Sequence, residues 1–182
     1  EHEQKNHGRR GGSSSEKGKG GKKDAGKQTE TPEFKKWFGD SKVVDEKGEP
    51  LRVFHVTSAD FTEFDTDKSQ RAAFGLGHYF TRNLDSLRMQ ANVPGDVVMP
   101  VFLSVKNPAD FGIVSKVMAE VMKADPSLRK YEAMLERGRR VTARLKSMGH
   151  DGVRVGGDEY VAFEPTQIKS ATGNRGTFFS LR

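Results

Sequence analysis

The sequence contains no cysteine, and no apolar run in it is long enough to cross a bilayer. The first absence excludes disulfide bonds, thiol catalysis and thiolate metal sites. The polar start lacks the pattern of a secretory signal peptide. Residues 1–31 have no aromatic residue, Leu, Ile, Val or Met, so they cannot bury enough apolar surface to offset chain entropy. We therefore predict a disordered tail over residues 1–31 and one folded domain over residues 32–182.

The excess of positive charge lies mainly in this tail. Residues 1–27 carry eight Lys and Arg against four Asp and Glu, so they hold +4 of the net charge of +6. A basic tail can contact nucleic acid or anionic lipid, but the interspersed acids favour a solvated linker. Because the chain starts with Glu rather than Met, we expect it to be a fragment or a C-terminal module of a longer polypeptide.

Short helices and short β runs alternate through the remaining sequence, which predicts an α+β domain with antiparallel strands and helices to one side. A helix is expected from the Thr31 cap to Gly39. Further helices are expected after Asn83, over 113–122, and over 127–148 with Ser127 as its cap. The predicted strands are 51–57, 78–81, 97–105, 152–155, 159–163, 167–170 and 177–181.

One stretch, Phe74–Thr81, is the most suggestive of a binding site. Gly75 and Gly77 free the backbone for a tight turn or for close approach to a ligand. The aromatic residues behind them favour a strand, which together with the turn is typical of one wall of a pocket for a flat ligand. His55 and Glu159 stand out on two other predicted strands. Taken singly, these side chains are more readily explained by core packing or by solvation than by a functional role.

Together, three segments resemble the signature of the His-Tyr-Glu class of ADP-ribosyltransferases, which includes poly(ADP-ribose) polymerases and diphtheria toxin. The segments are His55–Ser58, Phe74–Phe80 and Asp158–Phe163. Beyond them, Phe34–Ser41, Gln167–Ser170 and Asn174–Phe178 are similar to the ADP-ribosyltransferase-like domains of phage polyvalent proteins. The resemblance covers residues 32–179 and implies split antiparallel β-sheets with flanking helices, preceded by the disordered basic tail.

This resemblance implies that NAD is the co-substrate and that no metal is needed. Transfer breaks the bond between nicotinamide and ribose through an oxocarbenium-like state, which a nearby carboxylate stabilises. By resemblance, Glu159 is that carboxylate and binds the ribose 2′-OH, Tyr79 stacks on nicotinamide, and His55 binds a ribose hydroxyl. The other residues implied to contact NAD are Val56, Thr57, Gly77, Phe80 and Ser86.

The sequence departs from the family pattern at two places. Val56 stands where the family usually has Gly, which predicts weaker NAD affinity. The second stacking aromatic would fall near Met89–Gln90, where neither residue is aromatic. Nothing resembles an elongation apparatus, which favours mono-ADP-ribosylation. Two alternatives stay open: a small ribonuclease-like toxin domain using His55 or His78 with a lysine, and a catalytically inactive module that binds NAD or ADP-ribose.

The setting implied by the resemblance is the bacterial cytoplasm, with the domain acting as a phage host-takeover factor or toxin. The acceptor would be a protein, a nucleic acid or a small molecule, and the basic tail favours an anionic partner. We expect a monomer, with an immunity protein as partner if the domain is a toxin. The basic face of the predicted 127–148 helix is either solvated or grips an anionic target; its residues are Arg137, Arg139, Arg140, Arg144 and Lys146.

Overall fold

The structure, a computed structural model, describes residues 28–57, 64–85 and 97–172. Within these ranges, seven strands form one sheet in the order β4-β5-β6-β2-β1-β3-β7. The strands are β1 (Val53–Thr57), β2 (His78–Thr81), β3 (Val97–Leu103), β4 (Pro108–Asp110), β5 (Gly152–Val155), β6 (Glu159–Ala162) and β7 (Ile168–Ser170). The α+β class is confirmed. The strand β4 was not expected, and it pairs with β5 in parallel.

Three α-helices flank the sheet in the described part of the chain: α1 (Pro32–Phe38), α2 (Phe111–Ala124) and α3 (Met134–Ser147). The hydroxyl of Thr31 accepts the N–H of Phe34 at 3.2 Å, as a cap residue is expected to do. Gly39 then ends α1 with a positive φ of 53°. The sequence-based bounds of α1 are therefore confirmed.

The start of α3 was predicted wrongly. Ser127 lies in a short 3₁₀ turn, Pro126–Arg129, and the side chain of Asp125 caps that turn by accepting the N–H of Ser127 at 3.1 Å. The helix itself begins only at Met134. It continues through Gly138, where an added Cβ would lie 2.5 Å from the Cβ of Ala72. Gly138 is thus a site of close packing and does not interrupt the helix.

The two faces of the sheet bury different clusters. Side chains alternate along a strand, so Tyr79 and Phe80 point to opposite faces. Phe80 shares a cluster with Leu103, whereas Tyr79 packs with a second cluster that contains residues of α2 and α3. Phe102, the neighbour of Leu103, packs against α1. The three helices therefore cover the Tyr79 face, α1 at the β3–β7 end and the other two at the β4–β6 end.

The pairing between β1 and β2 is the shortest in the described sheet. These strands share one pair of opposed residues, Phe54 and Thr81, whereas β1 and β3 share five and β2 and β6 share four. Pro100 of β3 sits in an unbroken register opposite Phe54. The weak β1–β2 pairing divides the ladder into two halves, and the middle of the helix-bearing face lies at this division.

Some sequence-based predictions fall on residues that are not described. The final strand over 177–181 and residues 1–27 of the predicted tail lie outside the described ranges. So does the helix after Asn83, beyond two helical residues at 84–85. Gln28 was assigned to the tail, but its side-chain amide donates to the carbonyl of Ser170 at 2.8 Å. In the described residues, no helix has the length and apolar character needed to cross a membrane.

Candidate functional site

Glu159 and Tyr79 lie on one face of two paired strands. In the β2–β6 register, Glu159 is opposite Thr81 and Tyr79 is opposite Val161. Opposed residues share a face, and so do residues two apart on one strand, so the carboxylate and the phenol project to the same side. Glu159 is exposed, and its negative charge contributes to the raised pKa of Tyr79 after the larger effect of burial. The structure therefore brings these two predicted site residues together.

The phenol of Tyr79 is held by the glycine turn that precedes its strand. Its hydroxyl accepts the N–H of Phe74 at 2.9 Å and donates to the carbonyl of Gly75 at 2.6 Å. Burial raises its pKa to about 12, so the hydroxyl stays protonated and able to donate. The ring lies 6.4 Å from the ring of Phe74, centroid to centroid. These contacts fix the plane of the ring.

His55 occupies the gap between β1 and β2. Its Nδ1 lies 2.8 Å from the carbonyl oxygen of Tyr79, so the imidazole takes the place of a backbone partner where the two strands separate. The ring packs against Phe64 and Phe80, with centroid distances of 5.1 and 5.5 Å. Burial lowers the pKa of His55 and favours the neutral form. The imidazole therefore lies on the face of the sheet opposite the Tyr79 ring and Glu159. Its bond to the carbonyl of Tyr79 links it to the backbone of that residue.

The two glycines of the turn serve close packing between protein segments. At Gly75, where φ is 102°, an added Cβ would lie 2.7 Å from the hydroxyl of Thr142 on α3. At Gly77, it would lie 2.7 Å from the carbonyl oxygen of Ala162 on β6. The sequence predicted a tight turn or a close approach to a ligand at these glycines. The close approach is present, but it is to atoms of α3 and β6. Gly77 thus keeps β2 tight against β6, beside the proposed site.

Phe80 and His78 lie in the core, on the face opposite Tyr79. Phe80 is 3% exposed and His78 is 6% exposed. His78 packs edge-on against Phe64 at 5.1 Å, and its Nε2 lies 3.3 Å from the hydroxyl of Thr66. Burial lowers the pKa of His78 to about 4, so the imidazole is neutral at pH 7. Phe80 therefore packs in the core on the other side of β2, and its ring is not part of the Tyr79 face.

Val56 and Thr57, at the end of β1, are half-buried, and Val56 is paired with Val98 of β3. Ser86 lies outside the described residues. An open pocket of about 600 Å³ begins at Asp158, the residue before Glu159. Its lining residues are Arg82, Asn83, Leu84, Asp85 and Asp158. The carboxylate of Asp158 is 3.5 Å from Nε of Arg82, which ties the end of β2 to the start of β6.

A comparison with protein-family models decides what kind of domain this site belongs to. Residues 45–178 match the family described as ADP-ribosyltransferase in polyvalent proteins, and the match spans every strand from β1 to β7. The chain belongs to this family. The resemblance noted in the sequence is thereby confirmed. Searches of curated proteins and of solved structures gave no match.

Two features of this ADP-ribosyltransferase domain were missed in the sequence. Arg71 acts electrostatically on both His55 and Tyr79, in each case as a smaller effect than burial. Phe111, which is 54% exposed at the start of α2, contacts Phe74 edge-on at 6.1 Å and extends the row of rings that begins at Tyr79. For Arg71, the available signal in the sequence was its position close to the glycine turn. No local pattern marks Phe111.

The basic face of α3 is largely neutralised by acids of the same domain. Arg140 contacts Asp125 and Glu136 at 3.0 and 2.9 Å. Lys146 pairs with Glu164, and Arg144 lies 4.0 Å from Glu120. These internal pairs favour the solvated interpretation over a surface that grips an anionic target. Among the described residues, no group of three or more His, Asp or Glu is arranged to hold a metal.

Proposed function

We propose that this domain is an NAD-dependent mono-ADP-ribosyltransferase that modifies a macromolecule in a bacterial cell, as a phage effector or toxin. The observation that carries the proposal is the placement of Glu159 and Tyr79 on one face of the paired strands β2 and β6. Family membership supports the reaction class, and the family uses NAD as its substrate. The site supports the roles of the individual residues.

In this proposal, Tyr79 packs against the nicotinamide ring and Glu159 binds the 2′-OH of the attached ribose. As the bond from ribose C1′ to the nicotinamide nitrogen breaks, its electron pair leaves with nicotinamide. Glu159 then stabilises the positive charge that develops on the ribose ring. A nucleophile of the acceptor attacks C1′ and loses its proton. We assign the acceptor to the open pocket lined by Arg82, Asp85 and Asp158, which is the residue before Glu159.

His55 is assigned a positioning role. Its Nδ1 is engaged with the carbonyl of Tyr79, which fixes the ring orientation and leaves Nε2 directed away from that bond. In the neutral form, one ring nitrogen donates and the other accepts a hydrogen bond. The carbonyl of Tyr79 can only accept, so Nδ1 carries the proton and donates to it. Through this bond His55 holds the backbone of Tyr79 from the opposite face of the sheet, where its own ring packs against Phe64 and Phe80.

The ribonuclease alternative has less support from the site. It needs His55 or His78 as a general acid or base, which works best when the group titrates near the working pH. Burial lowers the pKa of both groups, that of His78 to about 4. The alternative of an inactive NAD-binding module remains as an outcome of the test, because the Val56 side chain lies on the strand that carries His55.

The test is incubation of the purified chain with bacterial lysate and NAD labelled in the adenylate half. The proposal predicts label in a macromolecular fraction, and nuclease or protease digestion then identifies the acceptor as nucleic acid or protein. Glu159→Gln should give no labelled product, whereas Glu132→Gln, an exposed control on the turn before α3, should label as the wild type does. NAD binding without label would support the inactive module, and RNA cleavage without NAD would support the nuclease.

A further inference from the structure

Arg71 stands at the edge of the proposed site on an anchored segment. It lies three residues before Phe74, whose backbone N–H donates to the hydroxyl of Tyr79. Three residues span at most about 11 Å, so the backbone of Arg71 cannot be far from that phenol. Ala72, the next residue, is 2% exposed and packs on Gly138 of α3. The guanidinium therefore extends from a fixed point beside Tyr79.

The segment around Arg71 is held on both sides. Downstream, the N–H of Leu76 donates to the carbonyl of Gly138 at 3.1 Å, and the hydroxyl of Thr142 donates to the carbonyl of Leu76 at 2.9 Å. Upstream, the hydroxyl of Ser69 donates to the carbonyl of Gly77 at 2.6 Å. Because this backbone is already ordered, the segment loses little conformational entropy when Arg71 binds a ligand.

Arg71 is exposed in the part of the chain that the structure describes. Its side chain forms no ion pair with another residue of the described ranges. Nearby arginines differ: Arg82 contacts Asp158 at 3.5 Å, and Arg52 lies over the ring of Phe54 at 6.0 Å. After burial, which is the larger effect, the charge of Arg71 lowers the pKa of His55 and opposes the rise in the pKa of Tyr79.

The ligand of the proposed function needs such a cation. NAD carries a diphosphate between its two nucleosides, and Glu159 adds a further negative charge to the site. A guanidinium matches phosphate oxygens with two parallel hydrogen bonds and is always charged. We propose that Arg71 binds the diphosphate of NAD and so directs the nicotinamide half toward Tyr79 and Glu159. This inference rests on the proposed function and adds the diphosphate subsite to it.

The test compares two ligands, each of which contains a different part of NAD. ADP-ribose contains the diphosphate, and nicotinamide contains no phosphate. Calorimetric titration of ADP-ribose should show binding to the wild type and a loss of about 10-fold to 100-fold in affinity for Arg71→Gln. Arg71→Lys should retain part of the affinity because it keeps the charge. Nicotinamide binding, followed by NMR titration, should be the same for wild type and both variants.

Arg129→Gln is the matched control, since Arg129 is also exposed but lies on the turn before α3. It should bind ADP-ribose as the wild type does. An affinity of Arg71→Gln for ADP-ribose within twofold of the wild type would overturn the inference while leaving the proposed function intact. Failure of the wild type to bind either ligand would overturn both the inference and the proposed function.

Discussion

Glu159 projects from β6 to the same face of the sheet as Tyr79 on the paired strand β2. Neither residue depends on a mobile loop for its position, because the β2–β6 ladder has four consecutive opposed pairs. Side chains mounted on strands are held more precisely than those on loops. The same ladder places Gly77 tightly against Ala162, so the distance between the two strands is set by backbone packing. The relationship between Glu159 and Tyr79 is therefore a property of the sheet itself.

Tyr79→Phe tests the hydrogen bonds of the phenol separately from its ring. The change leaves the N–H of Phe74 and the carbonyl of Gly75 without their partner, which should lower the free energy of unfolding by about 1–3 kcal/mol. Urea unfolding measures this loss. Tyr131→Phe is the control, because Tyr131 is 80% exposed and should change stability by less than about 0.5 kcal/mol. Equal stability of the two variants would contradict the account.

The two core-facing histidines predict a loss of stability in mild acid. The pKa of His78 is lowered by burial to about 4 from the ordinary value of 6.5, and that of His55 is also lowered. Between these pH values the unfolded chain binds more protons than the folded one. This contribution to stability is therefore complete above about pH 6.5 and is lost as the pH falls toward 4. For His78 the loss reaches about 3 kcal/mol.

Urea unfolding at a series of pH values from 7 to 4 measures this dependence. His78→Gln keeps a polar group near Thr66 but cannot titrate, so its stability should fall less steeply with decreasing pH. His150→Gln is the control, because His150 is only half-buried and its Nδ1 contacts the carbonyl of Asn107. Identical slopes for His78→Gln and the wild type would show that His78 does not carry the effect.

The same substitution at Gly138 and at Gly112, in two different helices, should differ in its cost to stability. Gly138→Ala should destabilise the fold by about 1–3 kcal/mol, since the new Cβ would lie 2.5 Å from the Cβ of Ala72. It would also press on the segment that carries Arg71. Gly112→Ala, at the exposed start of α2, should cost much less, since its new Cβ would meet only the side chain of Asp110, at 3.3 Å. Thermal unfolding distinguishes them, and a stabilising Gly138→Ala would refute the packing argument.

Val56→Gly tests the departure from the family pattern. Removing a β-branched side chain next to His55 should tighten NAD binding several-fold if that side chain narrows the nicotinamide site. The same change should cost about 1 kcal/mol of stability, because Gly weakens a strand. NAD titration and urea unfolding give the two values. Unchanged or weaker NAD binding by a folded Val56→Gly variant would show that Val56 does not limit affinity.

The sequence alone predicted most elements of the fold, because their signals are local. The Thr31 cap with Gly39, the short β runs that form β5 and β6, and the apolar spacing of α2 all depend on residues close in sequence. The start of α3 was missed because Ser127 is also a good residue for the short turn that Asp125 caps. The parallel β4–β5 pair joins distant segments, which no local pattern reveals.

The arrangement of the candidate site residues could be predicted only in part, for the same reason. Strand alternation with the correct motif order brings Glu159 to the face of Tyr79. The position of His55 depends on where β1 and β2 separate, and that separation is set by tertiary packing around Phe64. Phe80 and Gly77 match the family motif, yet their contacts are with the core and with β6. Motif position therefore does not distinguish a residue that contacts the ligand from one that supports the strand.

The most direct test of the central claim is the release of nicotinamide from NAD by wild type, Glu159→Gln and Glu132→Gln, with NAD affinity measured in parallel. The account predicts that Glu159→Gln lowers the rate of release by about 100-fold or more while its NAD affinity stays within about threefold of the wild type. Glu132→Gln should match the wild type in both measurements. Release by Glu159→Gln at the wild-type rate would contradict the account.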